Sequence, residues 1–366
     1  MKFTCERNIL LKEITIANEI IASKNAISIL SNIYFDAQDG NLVIKATDSK
    51  VNFETIVPVD VLEQGSVTVY GDKFYGILNS IPDGEIEFEQ IDNKINIKTS
   101  VKKAKFQLKS IASDKFPEFS AVGKDFFQMP IRDFKEMIHE TIFAISDDET
   151  RHFMNGVFFE KTKDKFIMVA TDGRRLAYIE KPAPEEVSDF SGFIIPPKIL
   201  NIVMKRGGDE GMAEISVTDK TIFIKFGSYK LSSVLIEGQF PNYRKVIPED
   251  QNNSFTFKRQ EMLDALKRVS LLVEQKSHRI FLGLSTGIAS IYCEESDIGN
   301  AREEIPCVYE GEEISLSLNY RYLEEPFKAM GVDEIQIFFN EPTKAITIKP
   351  VPEKDFFHIV MPMQQD

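Results

Sequence analysis

The sequence predicts an α+β protein made of three copies of one unit, each with two helices packed on small antiparallel sheets. Three observations predict this fold class. Short motifs recur at one fixed offset, a strand–turn–strand pattern occurs three times, and each copy opens with an amphipathic helix. The chain has 366 residues. Each copy therefore has about 120 residues, enough apolar surface for a core of its own.

Pairs of motifs show the repeat between the first and second copies. Ala-Thr-Asp at 46–48 recurs at 170–172, 124 residues later, and Phe-Pro at 116–117 recurs at 240–241. Tyr-Phe-Asp at 34–36 has its counterpart, Phe-Phe-Glu, at the same offset. Three coincidences at one offset do not arise readily by chance, so this offset defines the repeat length.

Each copy contains a hairpin in which apolar and polar residues alternate at the strand period of two. A short helical stretch precedes each hairpin. The predicted hairpin strands are 85–88 with 94–98, 214–217 with 221–225, and 334–337 with 344–349. The predicted helical stretches are Lys73–Ser80, Lys198–Arg206 and Arg321–Met330. This pattern identifies the third copy, which lacks the recurring tripeptide.

An amphipathic helix is predicted at the start of each copy, because apolar residues recur there at spacings of three and four. The predicted apolar faces are Leu10, Ile14, Ala17 and Ile21; Phe134, Ile138, Thr141 and Ile145; and Met262, Leu266, Val269 and Val273. A polar segment at 248–254 is typical of a linker. We therefore predict domains at residues 1–124, 125–249 and 250–366.

Composition excludes several classes of protein. The chain is 43% hydrophobic and 28% charged, as folded globular proteins are. It has no apolar run long enough for a membrane span and no secretory signal, so we expect a cytoplasmic protein without a membrane partner. Three scattered cysteines predict neither a disulfide framework nor a zinc site. The net charge of −13 argues against a protein that coats DNA, but it allows a local basic face.

Catalytic motifs are missing from the sequence. It contains no motif for phosphate binding, serine hydrolysis or zinc hydrolysis, and the four histidines are far apart. We therefore predict no catalytic residue, no metal and no cofactor. Two alternatives stay open on this evidence. One is a repeat-built scaffold without a DNA role, and the other is an enzyme whose acid–base residues converge between repeats.

Four motifs in a fixed order resemble the bacterial replicative sliding clamp, the beta subunit of DNA polymerase III holoenzyme. They are Met-Lys-Phe-Thr at 1–4, Ala-Thr-Asp-Gly-Arg-Arg-Leu-Ala at 170–177, Gly-Gln-Phe-Pro-Asn-Tyr-Arg at 238–244 and Val-Met-Pro-Met at 360–363. The resemblance implies three clamp domains in each chain. It also implies a homodimeric ring of six domains, with helices lining the hole and strands on the outer rim.

The resemblance further implies a function without catalysis. The ring would encircle double-stranded DNA and hold the polymerase on its template, which makes synthesis processive. Such a hold is topological, so weak and sequence-blind phosphate contacts suffice. The implied partners are duplex DNA, the alpha subunit of DNA polymerase III, the clamp loader, and other polymerases and repair proteins that carry clamp-binding peptides.

A hydrophobic peptide-binding pocket beside the C-terminus is also implied. Flexible Met side chains suit a pocket that accepts several related peptides. Arg174 stands where many relatives have histidine, Lys245 where arginine is usual, and Gln364–Asp366 replaces a basic or apolar ending. Taken alone, Asp-Gly-Arg-Arg would be read as a hairpin turn with solvated arginines. The implied pocket residues are Met154, Thr171, Gly173, Arg174, Arg175, Leu176, Pro241, Lys245, Val246, Ile359, Val360, Met361, Pro362 and Met363.

DNA-facing residues are implied by matches to the lining of the hole. For each of them the alternative is a solvated surface side chain. Lys73, Lys276 and Arg279 are weaker candidates for the same face. The implied lining residues are Lys24, Lys73, Arg151, His152, Phe153 and Lys198.

A dimer interface is implied at segment 102–108, which is predicted to be a strand with a basic edge. An open strand edge invites pairing with another chain. The expected partner is the third domain of a second copy, since residues 250–366 hold 12 basic and 20 acidic residues. The alternative is a patch of solvated or DNA-facing lysines. The implied interface residues are Lys103, Lys105, Phe106, Leu108, Leu271, Leu272, Glu303 and Glu304.

Overall fold

The computed structural model describes residues 1–21, 29–101, 104–119, 126–218, 220–296 and 299–364. Its architecture is α+β, as predicted, with short helices and long antiparallel sheets. The chain divides into two compact units. The first contains residues 1–132 and 198–235, and the second contains residues 133–197 and 236–366.

Six α-helices lie in the described ranges, two for each predicted copy. A helix is therefore confirmed at each of the six predicted stretches, although α3 and α5 end before the predicted apolar faces do. The helices are α1 (Arg7–Ile20), α2 (Gly71–Ser80), α3 (Ile131–His139), α4 (Pro197–Arg206), α5 (Arg259–Val269) and α6 (Tyr320–Ala329).

The described ranges also contain 25 strands. In chain order they are β1 (Lys2–Glu6), β2 (Asn32–Gln38), β3 (Asn41–Thr47), β4 (Val51–Pro58), β5 (Asp60–Glu63), β6 (Gly65–Tyr70), β7 (Glu85–Ile91), β8 (Lys94–Thr99), β9 (Lys105–Ile111), β10 (Phe127–Pro130), β11 (Val157–Thr162), β12 (Lys165–Thr171), β13 (Arg175–Pro182), β14 (Phe190–Ile195), β15 (Met212–Val217), β16 (Thr221–Phe226), β17 (Tyr229–Val234), β18 (Asn253–Lys258), β19 (Arg279–Ser285), β20 (Ile288–Ser296), β21 (Gly299–Val308), β22 (Ile314–Asn319), β23 (Glu334–Phe339), β24 (Ile346–Val351) and β25 (Phe356–Val360).

Each unit has one continuous antiparallel sheet. The first has the order β10-β15-β16-β17-β4-β3-β2-β6-β9-β8-β7-β1-β5, and the second has the order β14-β11-β12-β13-β25-β24-β23-β18-β21-β20-β19-β22. The three predicted hairpins are confirmed as the pairs β7–β8, β15–β16 and β23–β24. The middle copy contributes strands to both sheets, because β17 pairs with β4 and β13 pairs with β25.

The second opening helix is shorter than the apolar spacing predicted. It ends at His139 and does not reach Ile145. The Thr141 hydroxyl donates to the Met137 carbonyl at 2.7 Å, while the Thr141 N–H turns to Ile138. The hydroxyl therefore binds the Met137 carbonyl, to which the Thr141 N–H would donate if the helix continued. A 3₁₀ turn follows at Ile142–Ala144.

The recurring Ala-Thr-Asp motif has one structure in both places. Asp48 Oδ1 accepts the N–H groups of Lys50 and Val51 at 2.9 and 2.7 Å. In the same way, Asp172 Oδ1 accepts the N–H groups two and three residues later at 2.8 and 3.0 Å. The residue after each aspartate has a positive φ, 77° at Ser49 and 89° at Gly173. The repeat seen in the sequence is thus a repeated side-chain-capped turn between two strands.

Candidate functional site

The turn between β12 and β13 carries four of the predicted pocket residues. Gly173 leaves room for the Arg151 side chain. A Cβ at this position would lie only 3.0 Å from Nη1 of Arg151 and would crowd the guanidinium. The Thr171 hydroxyl donates to the Arg175 carbonyl and accepts the Gly173 N–H at 3.1 Å. These bonds and the Asp172 cap fix the backbone, so Arg174 is presented from a rigid turn.

Arg175 points into the second unit and is satisfied there. It donates to Asp172 at 3.2 Å, to the Phe143 carbonyl at 2.6 Å and to Glu325 of α6. Its guanidinium also lies 4.8 Å from the centroid of the Tyr322 ring. Burial lowers the pKa of Arg175, and the Asp172 carboxylate opposes that shift. Arg175 therefore ties the turn to α6.

The C-terminal segment is held beside the same turn. β25 pairs with β13, with Leu176 opposite Ile359 and Arg175 opposite Val360. Beyond β25, the Met361 N–H donates to the Arg174 carbonyl at 2.8 Å, and the Met363 N–H donates to Ser317 at 2.8 Å. The tail is thus fixed by backbone hydrogen bonds as far as Met363.

An open cleft of about 430 Å³ lies along this tail, and we call it the tail cleft. It brings together four predicted pocket residues, Arg174 and 361–363. It also contains residues that the sequence reasoning missed or assigned elsewhere, among them Arg279, which was a weaker DNA candidate. The full lining is Arg174, Arg279, Asn319, Tyr322, Met361, Pro362, Met363 and Gln364.

The remaining predicted pocket residues differ in their exposure. Leu176 and Ile359 belong to a buried apolar cluster with Ile167, Val169, Ile194, Phe240 and Tyr243. Met154 and Val360 are also buried, whereas Val246 is 53% exposed. Pro241 is half-buried and Lys245 is exposed. The predicted pocket residues therefore include both buried apolar side chains and exposed side chains, as a peptide-binding surface requires.

Three of the predicted DNA-facing cations, Lys73, Arg151 and Lys198, have a carboxylate neighbour. Lys73 lies 3.5 Å from Asp72, and Arg151 lies 2.8 Å from Asp148. His152 is exposed, and Phe153 is partly buried against the apolar cluster. Lys24 lies outside the described residues. The assignment of these residues to DNA stays a prediction.

Lys198 joins α4 to two elements of the first unit. Its ammonium donates to Asp48 at 2.6 Å and to the Ile20 carbonyl, at the end of α1, at 2.9 Å. Burial alone would raise the pKa of Asp48, but the hydrogen bonds from Lys198, Val51 and Lys50 outweigh it and hold the pKa below its ordinary value. The pair stabilises the fold whether or not Lys198 also faces DNA.

We expect Lys198→Met to lower the free energy of unfolding by about 1 kcal/mol at pH 7. The effect is modest because solvent partly screens the Lys198–Asp48 pair. Because the folded-state pKa of Asp48 is lowered, this contribution is present above pH ~4 and is lost as the pH falls further. Urea unfolding at pH 7 and near pH 3 would measure the change. Lys205→Met is the matched control, since its partner Glu19 is well exposed. A difference from wild type that does not shrink at low pH would contradict this account.

Five of the predicted dimer residues lie on two strands, one in each unit: Lys105, Phe106 and Leu108 on β9, and Glu303 and Glu304 on β21. In the first unit, Lys105–Lys109 of β9 pair with β8, while β6 pairs only with Ser110 and Ile111. In the second unit, β21 pairs with β20 along its length and with β18 only at Cys307 and Val308. Within the described ranges, each strand therefore has one side largely without a partner.

The predicted interface residues of the second unit differ in their exposure and in their ion pairs. Leu271 is 77% exposed. Glu303 is already paired with Arg268, which lowers its pKa, and Glu304 lies 3.2 Å from Arg302. Lys103 lies outside the described residues. Pairing of the two glutamates with lysines of a second copy stays a prediction, and it would have to share or displace these arginines.

The described ranges contain no group of three His, Cys, Asp or Glu side chains arranged as metal ligands. None of their helices combines the length and the apolar character that crossing a bilayer requires.

Family models match nearly the whole chain. The N-terminal, central and C-terminal domains of the DNA polymerase III beta subunit match residues 1–120, 128–242 and 244–364. The chain is 46% identical to the beta sliding clamp of Treponema pallidum and 28% identical to that of Synechococcus elongatus. These alignments cover all of this chain and 100% and 99% of the two relatives.

Solved structures show the same likeness. A DnaN sliding clamp from Pseudomonas aeruginosa bound to griselimycin has a TM-score of 0.91 at 25% identity. One from Bartonella birtlesii, also bound to griselimycin, has a TM-score of 0.91 at 27% identity. The DNA polymerase III beta subunit of Thermotoga maritima has a TM-score of 0.89 at 25% identity. Each match covers 100% of both chains. The chain belongs to the beta sliding clamp family, the beta subunits of DNA polymerase III.

Proposed function

We propose that two copies of this chain form a ring of six domains around duplex DNA and hold the replicative polymerase on its template. A sliding clamp is a processivity factor and not a catalytic subunit, so the function needs no reacting group and no cofactor. The observation that carries the proposal is the match to sliding clamps over the full length, in sequence and in fold. The domains would be residues 1–124, 125–249 and 250–366, and the protein would act in the cytoplasm.

The ring would close where the open strand edges of two copies pair with each other. We propose that the edge of β9 from one protomer meets the β21 edge of a second copy. Lys105, Lys109 and Gln107 are exposed along the first edge, whereas Glu303 and Glu304 lie on the second. Such an interface joins two different surfaces, and two copies close it into a ring. The arrangement leaves neither edge free for aggregation.

The tail cleft supplies the docking site for partners. Its apolar tail residues and polar walls suit a short peptide with a few hydrophobic anchors. Two related clamps have been solved with griselimycin bound, which supports a ligand site on this fold. The alpha subunit of DNA polymerase III, the clamp loader, and other polymerases and repair proteins would use this cleft in turn.

A topological hold can be separated from simple adhesion to phosphates. After loading by a bacterial clamp loader, we expect the labelled protein to stay on nicked circular DNA through gel filtration at high salt. Cutting the circle once should release it, because a ring slides off a free end. Phosphate binding alone would instead weaken steeply with salt on both DNA forms.

The scaffold alternative predicts a different result. A protein that binds peptides but does not encircle DNA would leave both DNA forms bare, while a known clamp loaded in parallel stays on the circle. That outcome, with peptide binding intact, would remove the DNA role and keep the docking role.

A further inference from the structure

The described lining of the tail cleft is positively charged. Two arginines, Arg174 and Arg279, line it, and none of the other described lining residues is charged. Its other walls are apolar or neutral. A cleft of this composition favours a ligand that brings its own negative charge.

Arg174 is held so that its side chain is free for a ligand. Its N–H donates to Asp172 and its carbonyl accepts the Met361 N–H, both at 2.8 Å. The backbone is therefore fixed on both sides while the side chain is exposed. Among the described residues, no carboxylate forms an ion pair with this guanidinium.

Arg279 enters the cleft from another part of the second unit. It begins β19 and lies opposite Asn319, the last residue of β22. The side chain is half-buried, and its Nε is buried without a hydrogen-bond partner among the described residues. A buried charged donor without an acceptor is destabilising, so an incoming acceptor would be favoured there.

The nearby carboxylates are already engaged by Arg175. Asp172 receives the Arg175 Nε and two backbone N–H groups, and Glu325 receives another Arg175 nitrogen. This arrangement neutralises the largely buried Arg175, and it leaves the two cleft arginines without a counter-charge among the described residues.

We propose that the peptide bound in the tail cleft carries a carboxylate that Arg174 and Arg279 bind together, so that these two residues set the specificity of the site. The inference rests on the proposed docking role of the cleft. The carboxylate has two chemical sources, an acidic side chain among the apolar anchors or a free C-terminus. Either source would form charge-assisted hydrogen bonds, which are stronger than neutral ones.

Four fluorescent peptides test the proposal by anisotropy. They share the core Gln-Leu-x-Leu-Phe, with either Asp or Asn at x, and each is made with a free or an amidated C-terminus. We expect at least one carboxylate to tighten binding by about 3- to 10-fold over the Asn amide peptide, an effect that shrinks as salt is raised. A gain from Asp alone identifies the side chain as the source, and a gain from the free terminus alone identifies the terminus.

Variants assign the effect to the two arginines. Arg174→Gln and Arg279→Gln should each lower the ratio between the affinity for the carboxylate peptide and the affinity for the Asn amide peptide. Arg132→Gln is the matched control, because Arg132 is exposed and lies outside the cleft. Equal binding of all four peptides to the wild type would overturn the inference and leave the docking role intact. Failure of the folded wild type to bind any of them would overturn both.

Discussion

Removal of residues 361–366 is expected to weaken the binding of a Gln-Leu-x-Leu-Phe peptide by at least about 30-fold. Met361, Pro362 and Met363 form one side of the tail cleft, and backbone bonds to Arg174 and Ser317 hold them there. Losing the apolar contacts of two or three such side chains costs about 2 kcal/mol or more, which corresponds to that factor. Fluorescence anisotropy of the labelled peptide measures it.

The matched control is a chain that ends at Gln364, which keeps every described tail residue of the cleft. It should bind as the full chain does. Equal binding by the chain that lacks 361–366 would show that the peptide lies elsewhere, and the docking role of the tail cleft would then be wrong. Circular dichroism of each truncated protein separates a lost site from a lost fold.

Substitution of Leu271 by aspartate is expected to raise the dissociation constant of the dimer by at least about 100-fold. Leu271 is 77% exposed in a 3₁₀ turn, Ser270–Leu272, that follows α5. The next residue, Leu272, lies 4.0 Å from a Cβ built on Gly299 at the start of β21, which places the turn beside the open edge. A leucine lost from an interface costs about 2 kcal/mol, and a two-fold ring contains the interface twice.

Sedimentation across a range of protein concentrations measures this change. Because Leu271 is exposed in the single chain, the variant should fold as the wild type does. Leu62→Asp is the matched control, since Leu62 is 53% exposed on β5, which lies four strands from β9 in the first sheet and is not assigned to the interface. A Leu271→Asp protein that sediments as the wild type does would place the dimer contact elsewhere.

Local patterns predicted much of the fold. The period of two located the three hairpins, and the recurring Ala-Thr-Asp located two turns that share one set of hydrogen bonds. The length of α3 was not predictable from apolar spacing alone. Thr141 continues the apolar face at the right interval, yet its hydroxyl competes for the helix carbonyl and ends the helix.

The candidate site was predicted only in part. The turn and the tail are short continuous motifs, so a family resemblance could assign them. Arg279, Asn319 and Tyr322 reach the cleft through the pairing of β19 with β22 and through α6, segments far apart in the chain. Of these three residues, only Asn319 carries a local signal, because its side chain accepts the Arg321 N–H as the cap of α6.

The division of the middle copy between two sheets also affects how the chain would respond to a cut. The backbone passes between the two compact units three times, near residues 132, 197 and 235. Proteolytic cleavage at any one passage would leave the units covalently joined by the other two. The freed segment would still be held in its sheet by strand pairs such as β4–β17 or β13–β25. A nicked subunit could therefore remain in one piece, and a ring built from it would not open at that nick.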